Sequence, residues 1–171
     1  SLIRCAGWTR ARNRCLSKVK NMPIVNVTAP EQAERYEIHI GHGLLSHAAP
    51  LLAMCAGRRA MIVTDENVAP LYADALRGQL ELAGAQVSLF VLPAGETTKC
   101  MAQLERLYDA FLDAHLTRKD YVIALGGGVV GDLTGYAACT YLRGVRFIQV
   151  PTTLLAQVDS SVGGKVAVNH P

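Results

Sequence analysis

The chain has 171 residues, half of them apolar and 18% charged, with 15 Gly and 7 Pro; this is the composition of an ordinary globular α/β domain and excludes disorder, collagen and a coiled coil. The formal charge of +3 is unevenly spread, because residues 1–21 hold Arg4, Arg10, Arg12, Arg14, Lys18 and Lys20 and no acid. The remainder is mildly acidic, which removes a bulk-charge argument for nucleic-acid binding, and no run approaches the roughly 20 apolar residues of a membrane helix.

Residues 1–22 read as a basic leader or extension outside the fold, ahead of a plausible start at Met22-Pro23, and residues 23–171 as the folded domain. Ile24–Val27 and Tyr36–Ile40, with no helix between them, predict an antiparallel strand pair. A short helix is expected within 43–52, followed by a strand over Ala60–Thr64 that stops at Asp65. Leu71, Leu76, Leu80 and Ala83 recur at helical spacing and end at Gly84, a C-terminal stop. Val87–Leu92 is the next strand, and Leu104, Leu107, Tyr108, Phe111 and Leu112 mark the next helix. Tyr121–Leu125 is a continuous apolar run, as a central parallel strand requires.

From Val129 to about Tyr141 the sequence is helical, with Gly131, Gly135 and Ala138 forming a small-residue face that suits close approach to a sheet. Phe147–Val150 is a strand ended by Pro151. Thr152-Thr153 starts a helix to about Val158, and Gly163-Gly164 turns the chain into 165–168. This alternation predicts an α/β, Rossmann-like, mostly parallel sheet with helices on both faces and an antiparallel N-terminal strand pair. Cys5, Cys15, Cys55, Cys100 and Cys139 are odd in number and never spaced C-x-x-C, which points to reduced thiols in a cytoplasmic protein rather than a zinc cluster or disulfide framework. Cys139 lies in an apolar helical stretch and is expected in the core.

Gly126, Gly128 and Gly131 satisfy G-x-G-x-x-G between a buried strand and a helix. Glycines there permit a tight turn and let backbone N–H groups and the positive helix terminus approach a pyrophosphate. The usual acid about 20 residues on is missing, since Phe147-Ile148-Gln149-Val150 holds none. Asp65, closing an earlier strand, is the substitute candidate; a packing turn and a helix-capping Asp remain the alternative. Glu96 and Lys99 in Pro93–Lys99 suit a ribose hydroxyl and a phosphate, or simply a cap at Thr97 or Thr98. The segment 151–165 concentrates hydroxyls, Asp159, two glycines and Lys165, a set suited to a polyhydroxylated or phosphorylated substrate. Arg143 either meets an anion or serves the C-terminal end of a helix.

The segments Gly126–Asp132 and Arg143–Lys165 closely resemble the 3-dehydroquinate synthases of the shikimate pathway, and the resemblance extends over about 24–171. It implies an NAD-binding N-terminal domain. Cofactor contacts would come from Asp65, Asn67, Ala94, Gly95, Glu96, Thr97, Thr98, Lys99, Gly128, Val129, Val130, Gly131, Asp132, Thr152, Thr153 and Lys165. Arg143, Asp159 and Lys165 would line the substrate pocket as catalytic residues.

The implied reaction converts 3-deoxy-D-arabino-heptulosonate 7-phosphate to 3-dehydroquinate and phosphate, using catalytic NAD and a divalent metal, zinc or cobalt. The family's metal ligands, a Glu and two His, belong to a helical C-terminal domain beyond Pro171. His39, His42, His47, His115 and His170 are accordingly read as structural or solvated, and this chain is expected to supply no metal ligand. By itself it is expected to be inactive, to bind NAD weakly and to expose an apolar face suited to a further domain. The resemblance implies a homodimer for the full-length enzyme, with no nucleic-acid or membrane partner. The alternatives are a sibling sugar-phosphate cyclase, a more distant glycerol-dehydrogenase-like enzyme, and a nucleotide-binding module without catalysis.

Overall fold

The computed structural model describes residues 2–6, 24–28 and 35–170. Its strands are β1 (Leu2–Ala6), β2 (Ile24–Thr28), β3 (Arg35–Ile40), β4 (Arg59–Asp65), β5 (Gln86–Leu92), β6 (Tyr121–Gly126) and β7 (Arg146–Pro151). They form one sheet in the order β2-β3-β1-β7-β6-β4-β5. The run β7-β6-β4-β5 is parallel, and β2, β3 and β1 extend it antiparallel. The expected α/β architecture is thus present, the N-terminal strand pair included.

Leu2–Ala6 depart from the expectation that residues 1–22 stand outside the fold. This short apolar, β-compatible segment fills the ladder between β3 and β7. It pairs the side of β7 that would otherwise be an exposed edge.

The helices are α1 (Ala49–Cys55), α2 (Asp74–Leu82), α3 (Met101–Asp113) and α4 (Gly128–Thr140). Because side chains alternate across a strand, β4 and β6 supply two cores at once. Ala60, Ile62, Ile123 and Leu125 pack with Leu51 of α1 and with Leu76 and Leu80 of α2. Met61, Val63, Val122 and Ala124 pack with Leu104, Leu107 and Phe111 of α3 and with Leu133 and Ala137 of α4. All six residues of β6 are buried, as its unbroken apolar run requires. Truncating Ile123 to Ala would cost about 2–5 kcal/mol.

Three local expectations need correction. The first helix begins at Ala49, with Pro50 in its first turn, while the chain before it forms turns. Leu71 is 66% exposed although Leu76 and Leu80 are buried. A π-type turn over Ala69–Ala73 inserts an extra residue per turn, rotating Leu71 outward and placing Ala73 inside. Cys139 is exposed on α4, since its neighbours Ala137 and Ala138 occupy the sheet-facing side.

The small-residue face of α4 does allow close packing. A Cβ on Gly131 would stand 3.2 Å from Gln149 Oε1 of β7, and one on Gly135 would stand 3.0 Å from the Phe147 ring and run into Val166. No helix among the described residues is long and apolar enough to cross a membrane.

Candidate dinucleotide site

The chain runs from β4 outward to β5 and then returns to place β6 on the other side of β4. Such a reversal opens a crevice at the carboxyl ends of the strands. A cleft of about 290 Å³ lies there, lined by Asp65, Asn67, Val68, Pro93, Gly95, Thr98, Gly127, Gly128, Val129, Val130 and Thr153.

The glycine turn forms one wall. Gly127 precedes the first residue of α4 in extended conformation, and no side chain caps the helix. The first amides of a 13-residue helix are therefore left for a ligand, backed by the positive end of the helix dipole. A Cβ on Gly126 would fall 2.7 Å from Val130 Cγ2, and one on Gly127 would fall 3.1 Å from Thr153 Cγ2. Glycine is thus demanded twice, first by the strand-to-helix turn and then by the width of the cleft. Thr152 Oγ1 and Ser160 Oγ are buried beside this turn without a hydrogen-bond partner. The cradle fits the pyrophosphate of a dinucleotide.

Asp65 forms the opposite wall. Its Oδ1 accepts the amides of Asn67 at 2.9 Å and Val68 at 3.0 Å, so it closes the turn that follows β4, while the helical turn from Ala69 has no side-chain cap. Oδ2 remains as a second acceptor at the cleft. Lys99 Nζ lies 2.9 Å from Glu96 Oε1 and 3.3 Å from Asp132 Oδ2. Glu96 is held below the usual carboxylate range, first by the hydrogen bond from Lys99 and then by one from Asn169. Lys99 is held above the usual lysine range, mainly by the bond to Glu96. Thr98 donates its hydroxyl to the Pro93 carbonyl at 2.8 Å, which folds the loop back on itself.

Residues 89–171 match the family described as 3-dehydroquinate synthase N-terminal. The resemblance read from the sequence is thus matched by the family over residues 89–171 of the chain. Among solved structures, a 2-deoxy-scyllo-inosose synthase complexed with carbaglucose-6-phosphate, NAD+ and Co2+ aligns at 22% identity over 86% of this chain and 40% of its own, with a TM-score of 0.75. The 2-epi-5-epi-valiolone synthase of Streptomyces hygroscopicus subsp. jinggangensis 5008, with NAD+ and Zn2+ bound, aligns at 31% identity over 92% of this chain and 40% of its own, with a TM-score of 0.67. The chain spans about two fifths of the length of these sugar-phosphate cyclases.

Most of the predicted site residues fall into three groups. Asp65, Asn67, Gly95, Thr98, Gly128, Val129, Val130 and Thr153 line the cleft. Glu96, Thr97 and Lys99 line an adjoining depression with Cys100, Asn169 and His170. Asp159, in the same helical turn (Ala156–Ser160) as exposed Val158, pairs with Lys165; Leu154 and Leu155 just before that turn are exposed as well. Arg143 is not brought to the cleft: it follows α4 at its C-terminal end, about 20 Å of helix from Gly128.

Among the described residues no three His, Cys, Asp or Glu side chains stand close enough to hold a metal. His39 is buried with its Nε2 3.1 Å from Glu37, and His42, His47, His115 and His170 are exposed. Gly127, Val68 and Asn169 were not foreseen. The glycine triplet signalled the first, whereas no local pattern marks Asn169.

Proposed function

We propose that the chain is the NAD-binding domain of a sugar-phosphate cyclase, and specifically of a 3-dehydroquinate synthase acting on 3-deoxy-D-arabino-heptulosonate 7-phosphate. The observation that carries this reading is the N-terminus of α4, begun by Gly127 and Gly128 with no side-chain cap and open onto a cleft that Asp65 also lines.

Gly127 and Gly128 would admit the pyrophosphate to the helix amides, Asp65 would accept from a ribose hydroxyl, and Lys99 would supply a cation held in place by Glu96 and Asp132. When bound, NAD supplies reversible hydride transfer, so a substrate hydroxyl is transiently a ketone and the adjacent proton becomes acidic enough for loss of phosphate, with no net oxidation. Asp159 and Lys165 would face the substrate at the edge of the same cleft. Their pairing orients the ammonium for an oxyanion or phosphate. No cluster of side chains among the described residues suits zinc or cobalt.

The dehydroquinate assignment is supported by the family matched over 89–171 and by the 143–165 block. A sibling cyclase is the second reading, favoured by the 31% identity with the valiolone synthase. Exposed Leu154, Leu155 and Val158 would meet a further domain in a cytoplasmic homodimer. Calorimetry with NAD tests the cofactor reading: saturable, weak binding is expected, and its absence would contradict it. Titrating the NAD-loaded chain with the heptulosonate phosphate against carbaglucose-6-phosphate tests the substrate. Preference for the latter would favour the sibling reading. Phosphate release by this chain alone is expected to be nil.

A further inference from the structure

Beyond Gly164 the chain takes an extended course that crosses α4 and ends on the loop carrying Glu96 and Lys99. Val166 enters the notch left by the missing side chain of Gly135, and Val168 packs on the core between α3 and α4. Asn169 then makes two bonds. Its main-chain N–H donates to the Lys99 carbonyl at 2.8 Å, and its side-chain amide donates to Glu96 Oε1 at 3.0 Å. A parallel bridge between Cys100 and Asn169 aligns the two strands of chain.

The second bond matters because Glu96 needs an anchor. Its side chain is 61% exposed, and an ion pair with so exposed a carboxylate holds its geometry poorly in water. Lys99 is only 14% exposed and bonds to the same Oε1 that Asn169 reaches. The amide of Asn169 therefore fixes the oxygen on which the ammonium rests, from a segment 73 residues away.

We propose that Asn169 is a positioning residue for the cofactor side of the cleft: through Glu96 and the Lys99 carbonyl it sets where the Lys99 ammonium stands relative to the first turns of α4. This role rests on the reading that the cleft takes NAD. Nothing in it requires Asn169 to touch the ligand.

The groups facing Glu96 are Lys99 on its own loop, Asp132 on α4, Cys100 at the start of α3, and Asn169 with His170 on the crossing segment. Lys99 lowers the Glu96 pKa most and Asn169 next. Loss of the amide should therefore raise it.

The test compares the wild-type 171-residue chain with N169A and N169D, and with R58A as a remote control. The Glu96 carboxyl is titrated by 13C NMR, and NAD affinity is measured by calorimetry. The midpoint should rise in N169A and rise further in N169D, where a carboxylate replaces the donor. NAD affinity should fall about threefold to tenfold in both, with the thermal midpoint close to wild type. An unmoved Glu96 midpoint in both variants overturns the proposal, and so does a moved midpoint with unchanged NAD affinity. A wild-type chain that takes up no NAD overturns the cofactor reading and this role with it. That result is distinct from a failure of positioning alone, in which NAD binds and the midpoint stays put.

Discussion

The two ends of the parallel sheet are built on one topology and solved in opposite ways. At the carboxyl end, α4 presents uncapped amides to a cleft, and the cations there stand beside carboxylates, Lys99 with Glu96 and Asp132 and Lys165 with Asp159. At the amino end, where the helices finish, arginines bond to uncharged oxygens. Arg58 donates to the Lys119 carbonyl and Arg59 to that of His115, each at 3.2 Å. Arg146 donates to the Tyr121 hydroxyl at 2.9 Å. Helix C-termini carry partial negative charge, which suits the arginines at this end, whereas at the carboxyl end, where the lysines are already paired with carboxylates, the α4 amides remain as donors for an anion. Arg143 follows the C-terminal end of α4 and so stands on the amino-end side, away from the cleft of its own chain.

The contrast is broken most severely by Gly127→Val. A branched side chain directed at Thr153 closes the cleft over the α4 amides. NAD binding should weaken about a hundredfold, the order of two charge-assisted hydrogen bonds, with little change in thermal stability, as calorimetry and melting would show.

The reverse pattern is expected of Asp120→Ala at the amino end. Asp120 accepts the Thr117 hydroxyl at 2.7 Å, the Thr117 amide at 2.8 Å and the Arg59 amide at 3.1 Å. Its removal should cost about 1–3 kcal/mol in denaturant melts and leave NAD affinity alone. Burial by itself would raise the Asp120 pKa, but the bonds from Thr117 and then from the Arg59 amide outweigh it and hold the value below the usual one. A depressed carboxylate contributes stability above its unfolded value, about 3.9, and loses that contribution as the pH falls through its folded value. The stability gap between wild type and D120A should therefore narrow in acid melts.

Asp65→Ser separates two roles of one side chain. Serine still caps the amides of residues 67 and 68 but lacks the second oxygen, so NAD should weaken about threefold to tenfold with the melt unchanged. The smallest effect is expected of Arg58→Ala, within about 0.5 kcal/mol of wild-type stability and neutral for NAD.

Much of this was legible in the sequence where one physical requirement dominates. The apolar run Tyr121–Leu125 has no environment but a two-sided core, and a glycine triplet between strand and helix has few uses besides close approach. Legibility failed where the deciding contact is distant or non-periodic. The π-type turn at 69–73 breaks the helical period that Leu71 obeys on paper. Leu2–Ala6 gain their place from strands far along the chain. Asn169 acquires meaning only from Glu96 and Lys99.

The most direct measurement is a 1H–15N spectrum of the labelled chain during titration with NAD. Saturable shifts should appear at the amides of Gly127, Gly128, Val129, Asn67 and Gly95, with those of Arg58, Arg59 and His115 unmoved. Shifts concentrated at the amino end, or none at either end at millimolar NAD, would contradict the assignment of the carboxyl end as a dinucleotide site.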